Sequence, residues 1–482
     1  MQKLEKKNIE DILSLTPMQE GMLFHYLEDP GSDFYFEQLS LDISGDIEIP
    51  AFEQAWNFVI ETNEMLRTVF RWEKVERPMQ IVLKKYKLQP RYYDCSEPGG
   101  DARDKKQVLE EIKERDRKEK FDLRDVPFRV TLCRIDRGRY EMIISNHHIL
   151  YDGWSNSIII KEFLQAYSDL SRGKIPIRPL KHKFKEFVQW VHTQDTRLQE
   201  SFWRGYLEGF KSPTPLPITP KRRKTSRDVK QIEGYKMKYL PGLKSEIQHF
   251  IQENKVTFAT LLYSSWGILL QKYNNTQDVV FGTTISGRPG RIKGIENIVG
   301  LFINTLPLRV QTYEKEKIPE LLRRIQGDLQ LREEYAGTPL VKIKEYSQVN
   351  QQQELFNSIV VIENYPLEDR LTADDYSLLV NSHSIFDITN YDLALFININ
   401  EVVFYYNGGR FDEKSIETLS EHFKKMLQCI VQLPNLDILD LDILSEEEKR
   451  QILKGAGKTA PPGANSKNKT IDELKTEIAF EF

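Results

Sequence analysis

Cysteine is scarce: the 482-residue chain has three, Cys95, Cys133 and Cys429, far apart in sequence. They make neither a disulfide framework nor a zinc-ligand spacing, a usage that fits a reducing cytoplasm. Long apolar runs are missing too. Nothing approaches the roughly 20 residues that cross a bilayer. The opening Met1-Gln2-Lys3-Leu4-Glu5-Lys6-Lys7 is too polar for a secretory leader. No internal repeat is visible. Net charge is small, −4, which gives no reason to expect nucleic acid or an anionic membrane as partner. The basic run Lys221-Arg222-Arg223-Lys224 lies in a Pro-, Lys- and Arg-rich stretch, 211–226, that reads as a solvated loop. The turn from Ser286 to Gly290 lacks the Lys-Ser/Thr of a phosphate-binding loop.

What remains is a chain long enough for two lobes. Its apolar fraction of 40% and charged fraction of 29% place it among soluble globular proteins. One stretch organises it: Ser145-Asn146-His147-His148-Ile149-Leu150-Tyr151-Asp152-Gly153-Trp154-Ser155. Before it, Tyr140 to Ile144 is aromatic, Met and β-branched, the pattern of a buried strand. After it, Ile160, Phe163, Leu164, Tyr167 and Leu170 recur at helical spacing, with Asp152 or Ser155 as the cap. The histidines therefore fall on a strand-to-helix turn, where a side chain can face a cleft while rigid elements hold its backbone. Strand neighbours point to opposite faces, so only one of the pair faces a given site. His and Asp can ligate metal, but no other His or Cys is near in sequence, and no metal is expected. An adjacent His pair alone reads as ordinary surface or core. The full His-His-x-x-x-Asp-Gly pattern is more specific, with a chance rate of roughly 0.3% in a chain this long.

The remaining segments follow in order. Residues 1–13 are a charged lead-in. Thr16-Pro17-Met18-Gln19 opens a helix, with Thr16 as cap, Pro17 at the first helical position and Gln19 completing a capping box. Phe52, Trp56, Val59, Ile60 and Asn63 mark a second helix, and Met65 to Phe70 reads as a strand. Residues 105–119 form a charged helix. Phe128 to Ile135 and Tyr140 to Ile144 are strands joined by a tight turn at Asp136-Arg137-Gly138-Arg139. Pro176 and Pro179 mark a hinge. Phe258 to Tyr273 is an apolar helix, and Val279 to Ile285 and Val299 to Thr305 are strands. Val402 to Tyr406 is a strand, Ile416 to Val431 a helix, and Ser445 to Leu453 a polar closing helix. Residues 455–469 are linker-like.

His147 to Ser155 resembles the His-His-x-x-x-Asp-Gly signature of condensation domains from nonribosomal peptide synthetases, members of the chloramphenicol-acetyltransferase-like superfamily. Other stretches agree in order. Leu15 to His25 resembles the family's first motif. Leu66-Arg67-Thr68-Val69-Phe70 resembles the second, with Asn63 standing where the family usually has histidine. Val279 to Thr305, with Asn304, and Arg309 beyond it resemble the fifth. The sixth is poorly matched at Glu334 to Leu340. Glu363-Asn364-Tyr365-Pro366 and Thr389-Asn390-Tyr391-Asp392 also look like the family. The resemblance spans about residues 8–453.

This resemblance implies an α/β fold with mixed sheets: two chloramphenicol-acetyltransferase-like lobes in a V-shaped pseudo-dimer. The expected divisions are a docking lead-in at 1–14, an N-terminal lobe at 15–175, a C-terminal lobe at 176–453, and a linker at 454–482 toward an adenylation domain. Segments near 283–300 and 370–390 should bridge the lobes and turn the cleft into a tunnel. The implied activity is that of an acyltransferase of antibiotic-type peptide synthesis. An acceptor aminoacyl amine attacks a donor acyl thioester, both held on 4'-phosphopantetheine arms of peptidyl carrier domains, with no cofactor of the chain's own. His148 is the expected catalytic residue, since a histidine titrating near neutrality suits proton handling. A cleft-facing imidazole should contribute little to packing. His147, Asp152, Gly153 and Arg67 complete the motif, and the resemblance implies an Arg67–Asp152 ion pair. Trp154, Ser155, Ser286 and Asn304 are substrate-channel candidates.

Sibling activities are weighed on the same residues. Cyclisation domains carry aspartates where this chain has His147 and His148. Plant-type acyltransferases carry an Asp-Phe-Gly-Trp motif that is absent. Epimerisation domains share the histidine pair but usually follow a carrier domain, and a non-catalytic carrier-docking module of the same fold is a further alternative. The Thr-Pro-Met-Gln form of the first motif resembles domains that join a D-configured donor to an L acceptor. The opening resembles domains that begin a subunit and dock an upstream synthetase partner.

Overall fold

The computed structural model describes residues 5–29, 34–96, 102–216, 218, 232–362, 376–387 and 389–450. Seven strands come from the N-terminal half: β1 (Ile9–Ser14), β2 (Phe36–Ser44), β3 (Thr68–Arg71), β4 (Met79–Leu83), β5 (Arg91–Asp94), β6 (Phe128–Asp136) and β7 (Arg139–His147). Helices α1 (Pro17–Glu28), α2 (Ile49–Thr62), α3 (Ala102–Lys118), α4 (Gly153–Ser171), α5 (Phe184–His192) and α6 (Thr196–Tyr206) accompany them. From the C-terminal half come β8 (Ile232–Lys238), β9 (Asp278–Ile285), β10 (Asn304–Gln311), β11 (Ser358–Ile362), β12 (Leu379–Asp387), β13 (Leu393–Ile397) and β14 (Glu401–Asn407). They alternate with α7 (Leu243–Asn254), α8 (Phe258–Asn274), α9 (Ile318–Glu333), α10 (Leu340–Tyr346) and α11 (Glu413–Gln432).

Each lobe is a mixed sheet backed by helices. The N-terminal sheet runs β12-β2-β7-β6-β5 and the C-terminal sheet β10-β9-β11-β13-β14-β8. In the first, β5 lies parallel to β6; in the second, β11 lies parallel to β9 and β13. Apolar spacing sets the packing: Phe52, Trp56, Val59 and Ile60 make one face of α2, and Trp56 stacks on Phe163 of α4 at 4.7 Å. The second core is built on α8, buried from Thr260 to Gln271.

The lobes are not separate halves of the sequence. Strand β12 leaves the C-terminal half and pairs antiparallel with β2 over its whole length. Ile292, Ile295, Ile298, Val299, Leu301 and Phe302 lie in the N-terminal core. Burying each such side chain is worth about 1.5–3 kcal/mol, so this crossing is fixed packing and no loose connection. Gly287 starts it at φ +58°, a conformation that favours glycine. Helix α5 also packs into the N-terminal core, through Phe184, Phe187 and Val188, although it lies beyond the expected boundary at 175.

Several local expectations change. Residues 299–303 are not strand, because their apolar side chains are taken by the other lobe; β10 starts at Asn304. Glu64–Arg67 is a 3-10 turn ahead of β3. The lead-in is not free over its second half: β1 pairs with β4 in a three-stranded sheet with β3. The expected linker at 454–482 and the Glu363 to Pro366 motif lie outside the described residues. No helix among the described residues is long and apolar enough to cross a membrane.

Candidate active site at the lobe junction

Strand register assembles the site. Phe36 pairs with His147 and Glu37 with Asn146 across β2 and β7, while Asp387 pairs with Glu37 across β12 and β2. The chain leaves β7 at His147. The His148 N–H donates to the Tyr35 carbonyl at 2.8 Å, and a turn closes from Leu150 N–H to the His147 carbonyl at 3.1 Å. Asp152 then caps α4, accepting from the Ser155 N–H at 3.1 Å.

The two histidines have different surroundings. His147 accepts the Ile149 N–H on Nδ1 at 3.1 Å, and its ring lies against Tyr26 and Tyr35. Burial, then the charge of His148, pushes its pKa down to about 3, so it is neutral. His148 is 7% exposed, with Nδ1 3.2 Å from the Tyr151 carbonyl. Its Nε2 lies 3.4 Å from Glu37 Oε2 and 3.2 Å from Asp387 Oδ1. Burial opposes charging this ring, but Asp387 and Glu37 together outweigh it and push its pKa up to about 10. The two carboxylates thus favour the charged ring, and the side chain is buried, so the small part in packing expected of it is corrected. Glu37 is held up by burial and by Asp387, against the pull of His148, and accepts from Asn156 Nδ2 at 2.8 Å.

The motif aspartate does not meet Arg67. Asp152, fully buried, accepts from Arg288 Nη2 at 3.0 Å, from the Phe302 N–H at 3.0 Å and from the Ser155 hydroxyl at 2.9 Å. Arg288 also donates to the Ile295 and Ile298 carbonyls at 2.7 and 2.9 Å, and lies over the Phe302 ring at 4.0 Å. Arg67 instead pairs with Glu10 at 2.6 Å and donates to the Leu83 carbonyl. The physical reason is the β1–β4 pairing, which brings Glu10 and Leu83 to the 3-10 turn that carries Arg67. Asn63 closes α2, donating to the Val59 carbonyl and Glu162 at 2.8 Å each and accepting from Lys181 at 2.7 Å.

The channel candidates divide. Ser155 exchanges hydrogen bonds with Gly300, at 3.2 Å each way, and so staples the crossing to α4. Trp154 donates to the Glu296 carbonyl at 3.1 Å, and Ser286 is exposed. Asn304 lies at a narrow cleft between the lobes with Met18, Trp190, Phe302 and Gly337. Its amide is engaged by the Ala336 and Thr338 carbonyls at 2.7 and 3.0 Å. Gly153 is the first residue of α4.

Glu37, Asp387 and Arg288 were not singled out from sequence. An acid directly after the aromatic run Phe34-Tyr35-Phe36 was a signal for Glu37; nothing local distinguished Asp387. Glu37, His148 and Asp387 offer ligand atoms within 4.8 Å of one another, the group of this kind found among the described residues. Two carboxylates and an imidazole are donors suited to a divalent cation, but an imidazolium between the carboxylates answers the same charge.

Comparison with known proteins agrees with the geometry. The sequence profile of the condensation domain matches residues 9–453. Surfactin synthase subunit 2 of Bacillus subtilis (strain 168) is 34% identical over 94% of this chain, and tyrocidine synthase 2 of Brevibacillus parabrevis is 32% identical over 95%. The chain spans only 13% of the length of each of those proteins. Among solved structures, the X-domain from teicoplanin biosynthesis superposes with a TM-score of 0.75 at 19% identity, over 92% of this chain and 99% of that one. The first condensation domain of the calcium-dependent antibiotic synthetase gives 0.73 at 16%, over 90% and 100%. Condensation domains of synthetases form amide bonds, an acyltransferase-type activity. The chain belongs to the condensation-domain family of nonribosomal peptide synthetases.

Proposed function

We propose that this chain forms a peptide bond between two carrier-delivered substrates, with the acceptor aminoacyl amine attacking the donor acyl thioester beside His148. The observation that carries this reading is the position of His148, at the end of the central strand β7, where β12 from the other lobe delivers Asp387. A thioester is already activated, so catalysis needs mainly orientation, a neutral amine and stabilisation of developing charge. Asp152 and Ser155 hold the crossing that closes one side of the junction.

On this reading 4'-phosphopantetheine arms of a donor and an acceptor carrier domain enter from opposite faces. An adenylation domain is a neighbour, and the residues ahead of β1 dock an upstream synthetase subunit. The names of the surfactin and tyrocidine relatives support this setting. The donor is a D-aminoacyl or D-peptidyl group, on the strength of Thr16-Pro17-Met18-Gln19. The reaction uses no metal, so activity should withstand exhaustive chelation.

A second reading has one observation behind it: the X-domain from teicoplanin biosynthesis, a fold neighbour, is found in a complex with OxyB, which suits a docking module. Incubation with two loaded carrier domains separates the readings. Dipeptide on the acceptor arm is the expected result. Inversion of a single loaded residue would mean an epimerisation domain, and binding without either product a docking module.

A further inference from the structure

We infer that Glu37, His148 and Asp387 form a three-ligand site for a divalent cation of the zinc type, and that a zinc ion seated there blocks the reaction. Zinc is here an inhibitor and not a cofactor. The site stands on geometry; only the inhibition rests on the reading of His148 as the active imidazole.

The spacing fits the ion. Zinc holds nitrogen and oxygen ligands at about 2.0–2.2 Å in a tetrahedron, whose ligand-to-ligand edges are then about 3.3–3.6 Å. His148 Nε2 lies 3.4 Å from Glu37 Oε2 and 3.2 Å from Asp387 Oδ1, close to two such edges. The third edge, between the carboxylates, is within 4.8 Å. Attraction of both oxygens to one cation draws it in. Three protein ligands leave the fourth corner to water, as in zinc sites that keep an open position. A nitrogen ligand and so few oxygens suit zinc better than magnesium, which asks for an octahedron of oxygens.

The outer contacts are those of a ligand set. A ligating histidine usually gives its other ring N–H to a carbonyl, and a ligating carboxylate is itself hydrogen-bonded. His148 Nδ1 lies 3.2 Å from the Tyr151 carbonyl. In the neutral ring that a metal needs, this carbonyl favours the proton on Nδ1 and the lone pair on Nε2, toward the carboxylates. Asn156 donates to the second oxygen of Glu37 at 2.8 Å and leaves Oε2 for the ion. Backbone fixes all three ligands. Asp387 and Glu37 are paired across β12 and β2, and the His148 N–H is held by the Tyr35 carbonyl at 2.8 Å.

Charge is also complementary. Two carboxylates and a neutral imidazole carry two negative charges, which one divalent cation cancels. Among the described residues no lysine or arginine pairs with either carboxylate; Arg288, from the crossing segment, is taken by Asp152. His147 does not compete, since its Nδ1 accepts the Ile149 N–H and its ring lies against Tyr26 and Tyr35. On binding, zinc takes the Nε2 lone pair of His148, and any proton there passes to solvent. Nε2 can then neither donate to a substrate nor accept from one.

The test uses the full chain, with cobalt(II) as the spectroscopic probe. In a four-coordinate site cobalt absorbs visible light far more strongly than it does in water, and zinc displaces it. One equivalent of cobalt is expected to bind with that signature, and zinc to erase it. Asp387→Asn and Glu37→Gln each remove one ligand with little change of shape. Each should weaken binding by more than the roughly 10- to 100-fold that loss of an outer-shell partner costs. Equal binding by wild type and the folded variants, or a six-coordinate spectrum, would overturn the site. The ion would then be adventitious, on surface pairs such as His182–Glu186 or His249–Glu253. Inhibition is read separately. Wild-type protein loaded with one equivalent of zinc and freed of excess is expected to lose most of its dipeptide formation, and a chelator to restore it. Zinc bound in the site with an unchanged rate would overturn the inhibition. Failure of the zinc-free protein to make dipeptide would instead sink the functional reading and leave the binding result standing.

Discussion

Asp152 and Arg288 meet at 3.0 Å with both side chains buried, joining the start of α4 to the segment that crosses between the lobes. Asp152 also holds the Phe302 N–H, so one carboxylate fixes the helix cap and both ends of the crossing. Removing one partner of a buried pair costs about 3–5 kcal/mol. Asp152→Ala and Arg288→Ala should each lose stability of that order, and condensation with it. Arg67→Ala touches a pair with a partly exposed glutamate and should retain activity. Chemical denaturation and the dipeptide assay check this; if Arg67→Ala behaves like Asp152→Ala, the assignment of partners is wrong.

His148→Ala should abolish condensation and also destabilise the fold, because it leaves Glu37 and Asp387 facing each other in a buried site. The sign of the pH dependence follows from the raised value of about 10. A group whose pKa is raised by folding stabilises fully below its unfolded value, about 6.5 for histidine, and the contribution fades as pH rises through the folded value. At stake is an energy on the order of a few kcal/mol. Wild type should therefore lose melting temperature between pH 7 and 10 while His148→Ala loses less. Parallel melting curves for the two proteins over that range would count against the buried imidazolium.

Gly287 is the hinge of the crossing. A Cβ there would come within 1.8 Å of the Phe302 carbonyl oxygen, at a backbone φ of +58°. Gly287 is next to Arg288, so relief of either strain is expected to disturb the Arg288–Asp152 pair. Gly287→Ala should cost at least about 2 kcal/mol and most of the activity. Melting like wild type would show that the crossing adopts another path.

Donor configuration is tested by loading the same residue as D or L on the donor carrier. The D form is expected to be favoured, on the order of 10²-fold, because inverting the α-carbon exchanges side chain and hydrogen and displaces the carbonyl by about 1 Å from the attack position. A preference for the L donor would overturn the assignment.

Much of this protein is written locally in its sequence. The capping box at Thr16 and Gln19 forms, with the Thr16 N–H donating to Gln19 Oε1 at 3.0 Å, because its partners are three residues apart. The α2 face of Phe52, Trp56 and Val59 is legible because burial repeats with the helical period. The His147-His148 turn and the Asp152 cap follow from the same short-range rules. Tertiary structure alone decided where the polar groups found partners. Asp152 chose Arg288, 136 residues away, over Arg67. Residues 299–303 read as strand from their β-branched and aromatic content, yet pack as core of the opposite lobe. His148 came to lie between two carboxylates because β12 joins β2 in a register that sets Asp387 opposite Glu37. Periodicity reports which residues are buried, but a buried charge is stabilised by whichever distant group the sheet register brings to it, and that register is a property of the whole fold.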